Sequence, residues 1–233
     1  MSRPDPRTAE AYPNIICTVD VVLLVLRNNA LHVALLKREQ MPFKGRLALP
    51  GGYIHAQEDG DAEASAARVL REKAGVSSPY LEQLGSFSGA RRDPRGWSVS
   101  LAYYALVAPD LLSETAHPEL AILPVDALPE PLPFDHARIL AAAVERLRAK
   151  SQYSSLPCHL AGEAFTLPEL QQIYEAVMGS TINKVSFRRK MDEMDMLEAV
   201  PGAQRADGPF RPAQLYRLKP AFRTRLKLIN RGF

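Results

Sequence analysis

Two apolar runs near the start of the chain have the composition of β-strands. Residues 15–25 (IICTVDVVLLV) are rich in β-branched side chains, and residues 31–36 (LHVALL) repeat the pattern after Asn28. A short polar turn between two such runs predicts a β-hairpin. Apolar stretches at 84–88 and 98–107 predict further strands.

Two other segments of the first half show helical patterns. Residues 62–73 combine Ala, Arg, Glu and Leu without Gly or Pro, and Gly75 follows where glycine is favoured after a helix. Residues 134–150 repeat apolar side chains at helical spacing, and the proline-spaced segment 124–133 predicts a rigid loop. Strands and helices together predict a mixed α/β domain.

The second half predicts two helices joined by a tight turn. Thr166 has the side chain of an N-cap and precedes a helix that ends at Gly179. A second helix is predicted over 183–196. Its buried face consists of Phe187, Met191 and Met194. Two helices of these lengths around a short turn are typical of a helix-turn-helix.

The residues after this second helix predict a β-hairpin. The turn-rich residues 203–210 form its tip, and residues 213–218 (AQLYRL) form the returning strand. Such a hairpin is the wing of a winged helix-turn-helix, and Arg205 and Arg211 are predicted to contact backbone phosphates.

The second helix carries the other predicted DNA contacts. Arginine offers a bidentate fork to guanine or phosphate, and the N-terminal half of such a helix enters the major groove of double-stranded DNA. The predicted contacts are Lys184, Ser186, Arg188, Arg189 and Lys190. An ordinary helical pair with a solvated basic face is the alternative to this interpretation.

Charge divides the chain at the same place as the predicted elements. Residues 1–151 carry 17 bases and 18 acids, whereas residues 152–233 carry 12 bases and 8 acids, so the net charges are −1 and +4. We therefore predict two domains with these boundaries, of which the second meets a polyanion.

Composition excludes several classes of protein. No stretch of 18 apolar residues is present to span a bilayer, and the polar start lacks the apolar core of a signal peptide. A cytoplasmic protein without membrane contact is therefore expected. Cys17 and Cys158 are far apart and show no metal-binding spacing, so neither a disulfide framework nor a zinc site is expected.

Residues 52–76 carry a motif of known chemistry. They resemble the Nudix box, Gly-x5-Glu-x7-Arg-Glu-U-x-Glu-Glu-x-Gly-U, with U a bulky apolar residue, although two extra residues lie between Glu58 and Arg68. The matching residues are Gly52, Glu58, Arg68, Leu70, Glu72, Gly75 and Val76. The resemblance implies the Nudix fold, a mixed sheet in an α/β/α sandwich.

Active Nudix enzymes hold divalent metal with three box carboxylates on one helix face, and two of these are missing here. The three positions are Val69, Glu72 and Lys73. A methyl group and a cation replace oxygen ligands, so we expect no metal, no required cofactor and no efficient hydrolysis. A substitute set made of Glu58, Asp59, Asp61 and Glu63 is the alternative, although acids at a helix entrance are commonly solvated.

We expect the domain to retain a ligand pocket although two catalytic carboxylates are replaced. Residues 89–97 (GARRDPRGW) resemble the matching stretch of ADP-ribose pyrophosphatases and of the NrtR regulators, in which arginines would clamp phosphates and Trp97, Tyr103 or Tyr104 would stack on a base. The predicted ligand contacts are Arg46, Gly51, Gly52, Glu72, Arg92, Arg95 and Tyr103. His136 is interpreted as a capping or interdomain residue.

The resemblance to the NrtR family extends over residues 13–218. It implies an α+β protein, with a Nudix domain followed by a C-terminal winged helix-turn-helix. It also implies a homodimeric repressor of NAD-metabolism genes, released from operator DNA by ADP-ribose or a related nucleotide metabolite. A metal-dependent ADP-ribose pyrophosphatase and a regulator that senses a sugar metabolite are the alternatives.

Overall fold

A seven-stranded mixed sheet forms the centre of the first half of the protein. The computed structural model describes residues 15–78, 80–115, 117–128, 131–205, 212–223 and 226–228. Strands β1 (Ile16–Arg27) and β2 (Ala30–Lys37) form the predicted hairpin. Asn28 and Asn29 both have positive φ, the backbone of a tight hairpin turn.

The other strands of the sheet extend outward from β1. They are β3 (Leu47–Ala48), β4 (Gly51–Tyr53), β5 (Tyr80–Gly89), β6 (Ser98–Val107) and β7 (Leu120–Pro124). The order is β3-β2-β1-β6-β5, while β4 pairs with β1 and β7 pairs with β2. Only the pairing of β1 with β6 is parallel among the described strands, so the sheet is mixed.

Side chains of β1 alternate between two cores. Val21 and Leu23 pack beneath α1 (Ala62–Val69), and α2 (Pro109–Thr115) lies on the same face. Val22 and Leu24 pack beneath α3 (His136–Ser151) on the other face. Both faces of the strand are buried, which explains why its sequence is continuously apolar. The predicted α/β/α sandwich is confirmed.

The helix predicted over 62–73 changes its winding partway. The α-helix ends at Val69, and residues Leu70–Ala74 continue as a π-helical turn. Gly75 then ends the turn in the left-handed conformation, with φ of 69°. Isolated π-helical turns inside helices are frequently found at functional sites.

The second half is a winged helix-turn-helix. A 3-10 turn (Leu156–Leu160) and β8 (Phe165–Thr166) precede α4 (Leu167–Met178), which Thr166 and Glu169 cap reciprocally. Helix α5 (Lys184–Met194) follows, and then strands β9 (Leu197–Arg205) and β10 (Ala213–Leu218) and a 3-10 turn (Pro220–Phe222). Strand β9 extends to Arg205, and the remaining tip residues 206–210 lie outside the described residues.

Buried side chains join the two halves. Leu156, Leu160 and Val177 belong to the same apolar cluster as α3. His159 is buried with its ring centroid 4.9 Å from that of Tyr80 on β5, and burial lowers the pKa of its imidazole to about 4. The His159 side chain is therefore uncharged near neutral pH. The boundary between 151 and 152 stays a prediction.

No helix within the described ranges combines the length and apolar character needed to cross a membrane.

Candidate functional site

A cleft of about 360 Å³ opens on the Nudix-like half. The end of β2, the loop between β3 and β4, the π-helical turn and the segment before β7 form its walls. Its titratable lining residues are Lys37, Arg38, Glu39, Glu72, Lys73, His117 and Glu119. A cleft with both cations and acids at its wall suits a polar ligand that carries a phosphate group.

The three box positions are differently placed around this cleft. Val69 is fully buried in the core, whereas Glu72 and Lys73 line the cleft. The Lys73 ammonium donates a hydrogen bond to the Gly51 carbonyl. Partial burial, together with the nearby Arg38 guanidinium, lowers the pKa of Lys73 below its ordinary value.

The donor set of the cleft does not fit the magnesium of the Nudix fold. Magnesium requires oxygen ligands in near-octahedral geometry, but only Glu72 of the three box positions offers a carboxylate. In the part of the chain that the structure describes, no three or more His, Cys, Asp or Glu side chains are grouped to hold a metal ion.

The acids before α1 are engaged elsewhere. Asp59 accepts two hydrogen bonds from the Arg68 guanidinium, which hold the pKa of that carboxyl well below its usual range. Asp61 caps α1 by accepting from the Ala64 N–H, and the Glu58 carboxylate lies 3.0 Å from Nδ1 of His55. These contacts do not support the alternative substitute metal set.

A buried carboxylate lies behind the cleft. Asp20 on β1 accepts a 2.6 Å hydrogen bond from Ser100, and nitrogens of Arg92 and His136 lie 3.4 Å from it. Burial alone raises the pKa of Asp20, but the charges and hydrogen bonds of these neighbours lower it overall. A Cβ added to Gly51 would lie 2.1 Å from the Asp20 carboxylate, so the cleft wall requires glycine there.

Arg92 does not line the cleft. Its guanidinium is 6% exposed and donates to Asp135 at 2.8 Å and to Ser98 at 3.2 Å, with Asp20 as a further partner. This placement does not support the prediction of a loop arginine that clamps phosphate, because the carboxylates of Asp135 and Asp20 already bind the side chain. The spacing along the sequence could not reveal Asp135, which lies 43 residues away.

His136 connects the cleft wall to a helix. It is the first residue of α3, and its Nδ1 accepts a 3.1 Å hydrogen bond from the backbone N–H of Leu49. It was expected to cap a helix or contact the other domain, whereas it is buried inside the first one. The His136 side chain therefore connects the cleft loop to the start of α3.

The other predicted ligand contacts differ in placement. Gly51 and Glu72 line the cleft, and Gly52 adjoins Lys73. Arg46 donates to the Pro131 carbonyl, and Arg95 binds Asp93 and the Tyr53 hydroxyl. Tyr103 and Tyr104 are buried in the core and present no face for a base, whereas Trp97 is 47% exposed.

An aromatic pair that sequence reasoning missed packs against one residue of the cleft wall. The rings of Phe43 and Phe134 meet edge to face at 5.0 Å, and the guanidinium of the cleft residue Arg38 lies 4.8 Å above Phe134. Both phenylalanines have positive φ, 64° and 56°, a strained backbone that is often found at binding sites. Their separation of 91 positions left no sequence signal.

The turn between α4 and α5 is fixed by side chains. Gln171 on α4 donates to the Ile182 carbonyl at 2.9 Å, and Glu175 accepts from the Ile182 N–H at 2.8 Å. Phe187 on α5 packs edge to face against Tyr174 on α4. These contacts hold the outer face of α5 in one orientation.

The outer face of α5 is exposed and basic at its N-terminal half. Lys184, Ser186, Arg188 and Arg189 are exposed, whereas the Lys190 side chain is only 13% exposed. Within the described ranges Arg188 and Lys184 form no ion pair. Val185, which the sequence reasoning left without a role, is 76% exposed and suits contact with a thymine methyl.

One of the two predicted wing residues forms an ion pair within its own domain. Arg205 at the end of β9 forms a 2.6 Å ion pair with Glu169 on α4. Arg211 lies outside the described residues. These assignments remain predictions.

Profiles of two known domains match this chain. A NUDIX domain profile matches residues 18–143, and a profile described as the NrtR DNA-binding winged helix domain matches residues 157–218. The first match contains the cleft, and the second contains α4, α5 and both wing strands.

Individual relatives cover most of the chain. A protein of Acinetobacter baylyi, described as an ADPR responsive transcriptional repressor NtrR, is 40% identical over 88% of this chain and 83% of its own. The crystal structure of Shewanella oneidensis NrtR with a 27mer DNA is similar with a TM-score of 0.85 and 37% identity, over 93% and 99% of the two chains.

A third likeness concerns the first domain alone. The Nudix domain of Shewanella oneidensis NrtR, crystallised with ADP ribose, is 37% identical with a TM-score of 0.53. The match covers 61% of this chain and 93% of that one.

Arg92→Ala tests whether this arginine supports the fold. The substitution leaves Asp135 and Asp20 without their buried cation, so the free energy of unfolding should fall by roughly 3–5 kcal/mol. Denaturant unfolding measures it, with the exposed neighbour Arg91→Ala as control, expected to change stability by less than about 0.5 kcal/mol. Equal stabilities of both variants would contradict a structural role for Arg92.

Proposed function

Because this chain belongs to the NrtR family of transcriptional regulators, we propose that it is a repressor that ADP-ribose releases from operator DNA. One observation carries this proposal: two of the three box carboxylates are replaced, by Val69 and Lys73, in a chain whose other domain presents an exposed, basic α5. A sensor needs a pocket for its ligand and a surface for DNA, and the cleft and the exposed face of α5 support these two roles.

The proposed ligand site is the cleft beside the Nudix box. The likeness to a Nudix domain crystallised with ADP ribose supports this ligand. Lys73 and Arg38 would face the phosphates. The Phe134 ring beneath Arg38, together with Phe43, would contact the base of a nucleotide. A sugar metabolite without phosphate would make no use of the cationic wall.

The proposed DNA site is the N-terminal half of α5. The likeness to a DNA-bound NrtR over nearly the whole chain supports it. We further propose a homodimer in the cytoplasm that acts on NAD-metabolism genes, since winged helix proteins commonly read paired half-sites.

The two sites are joined through α3. His136 at its start binds the cleft loop, and its other end leads to α4 through the buried Leu156 and Leu160. A ligand releases DNA only if it binds two arrangements of the domains with different affinity. If ligand binding displaces the cleft loop, α3 would therefore transmit this displacement to the DNA-binding domain.

We further propose that the Nudix domain is not a hydrolase. Val69 is buried and Lys73 occupies the cleft wall, so purified protein with magnesium or manganese should not hydrolyse ADP-ribose at enzyme-like rates. The assay follows AMP release, with an active Nudix pyrophosphatase as positive control. Turnover above ~1 per second, a common enzyme value, would support the alternative of a pyrophosphatase.

Arg188→Ala tests the proposed DNA surface. Removal of an exposed guanidinium from α5 should weaken operator binding by roughly 1–3 kcal/mol without loss of stability, and Arg189→Ala should act similarly. Affinity is measured by fluorescence anisotropy at several salt concentrations, since released counterions make phosphate binding salt-dependent. Arg71→Ala, which removes the same charge from the first domain, should leave affinity unchanged. If Arg188 and Arg189 variants both bind like the wild type, DNA contacts another surface.

A further inference from the structure

Lys73 lies where the metal-binding face of a Nudix helix meets the cleft. The π-helical turn carries its ammonium to the Gly51 carbonyl. A Cβ built on Gly52 would lie 3.5 Å from Nζ, so the amine also covers the next residue of the loop. The ammonium therefore lies against the Gly51–Gly52 backbone at the wall of the cleft.

The surroundings of Lys73 disfavour a metal in its place. Val69 is fully buried and offers no oxygen, and the Glu72 carboxylate has Arg68 at 3.5 Å and Arg71 at 3.7 Å. A divalent cation at the box positions would meet the ammonium and both guanidinium groups, with Glu72 as the one box carboxylate to offset them.

The same surroundings favour an anionic ligand at Lys73. An ammonium has three N–H donors, of which the Gly51 carbonyl accepts from one. Arg38 also lines the cleft, and its charge is among the causes that lower the pKa of Lys73. Lys73 and Arg38 line the same cleft and repel one another, and an anion bound there would offset this repulsion.

We propose that the Lys73 ammonium substitutes for the divalent cation of the Nudix fold and binds the diphosphate of the effector directly. Binding of ADP-ribose then requires no metal. This inference rests on the proposed function, because it concerns the same cleft and the same ligand. Beyond the proposed function, it names Lys73 as the group that recognises the diphosphate, and it predicts that binding does not depend on a metal ion.

A purely structural lysine predicts a different outcome. If Lys73 only fastens the Gly51 loop to the π-helical turn, Lys73→Met would lower stability while binding of ADP-ribose follows the fraction of folded protein. If it binds the diphosphate, Lys73→Met loses affinity at temperatures where the variant is fully folded.

Calorimetric titration with ADP-ribose distinguishes these cases. Wild-type affinity should be the same in EDTA and in magnesium to within about twofold. Lys73→Met should bind at least about tenfold more weakly, and Lys73→Arg, which keeps the cation, should retain most of the affinity. Arg71→Met removes an exposed cation from the same turn and should bind like the wild type. Thermal unfolding without ligand checks the fold of each variant.

Lys73→Glu provides a second readout. It restores one box carboxylate, so its weak binding in EDTA should increase when magnesium is added, which the wild type does not show. Wild-type binding that requires magnesium, or unchanged affinity in Lys73→Met, would overturn the inference while the proposed effector stands. Absence of wild-type binding in both buffers would reject the effector together with the inference.

Discussion

The buried carboxylate of Asp20 holds together the parts of the first domain that form the cleft. It accepts from Ser100 on the neighbouring strand, pairs with Arg92 and His136, and fills the space that a side chain at position 51 would need. A buried carboxylate is costly unless its oxygens are paired, so these partners constrain one another. The cleft loop, the loop before β6 and the start of α3 are consequently placed as a unit.

This arrangement suits the recognition of a ligand without its hydrolysis. Hydrolysis needs a metal held by carboxylates, whereas recognition needs only a shaped cleft and a few charges. The protein retains the helix and the glycine loop of the Nudix box, but an apolar side chain and an ammonium occupy two carboxylate positions. His136 links the cleft loop to α3, so in the proposed switch a displacement of the loop would be passed to α3 and from there toward the DNA-binding domain.

Local chemistry in the sequence was sufficient to predict most of the strands and helices, and the resemblance to the Nudix box implied the fold of the first domain. The Asn28-Asn29 turn, the Thr166 cap and the glycine after α4 were each visible from neighbouring residues, and the Nudix and winged helix domains are confirmed. The placement of the site residues was harder to predict, because contacts between residues distant in sequence determine it. Arg92 was expected to bind ligand, but its partner Asp135 is distant in sequence. Tyr103 was expected to stack on a base, but tertiary packing buries it.

The measurement that most directly tests the account is a titration of ADP-ribose into the protein with and without saturating operator DNA. A ligand-released repressor requires that operator DNA weaken ADP-ribose binding by the same factor by which ADP-ribose weakens operator binding. The account predicts two different ADP-ribose affinities that satisfy this equality. A single ADP-ribose affinity in both titrations would contradict it, even if the protein binds each ligand separately.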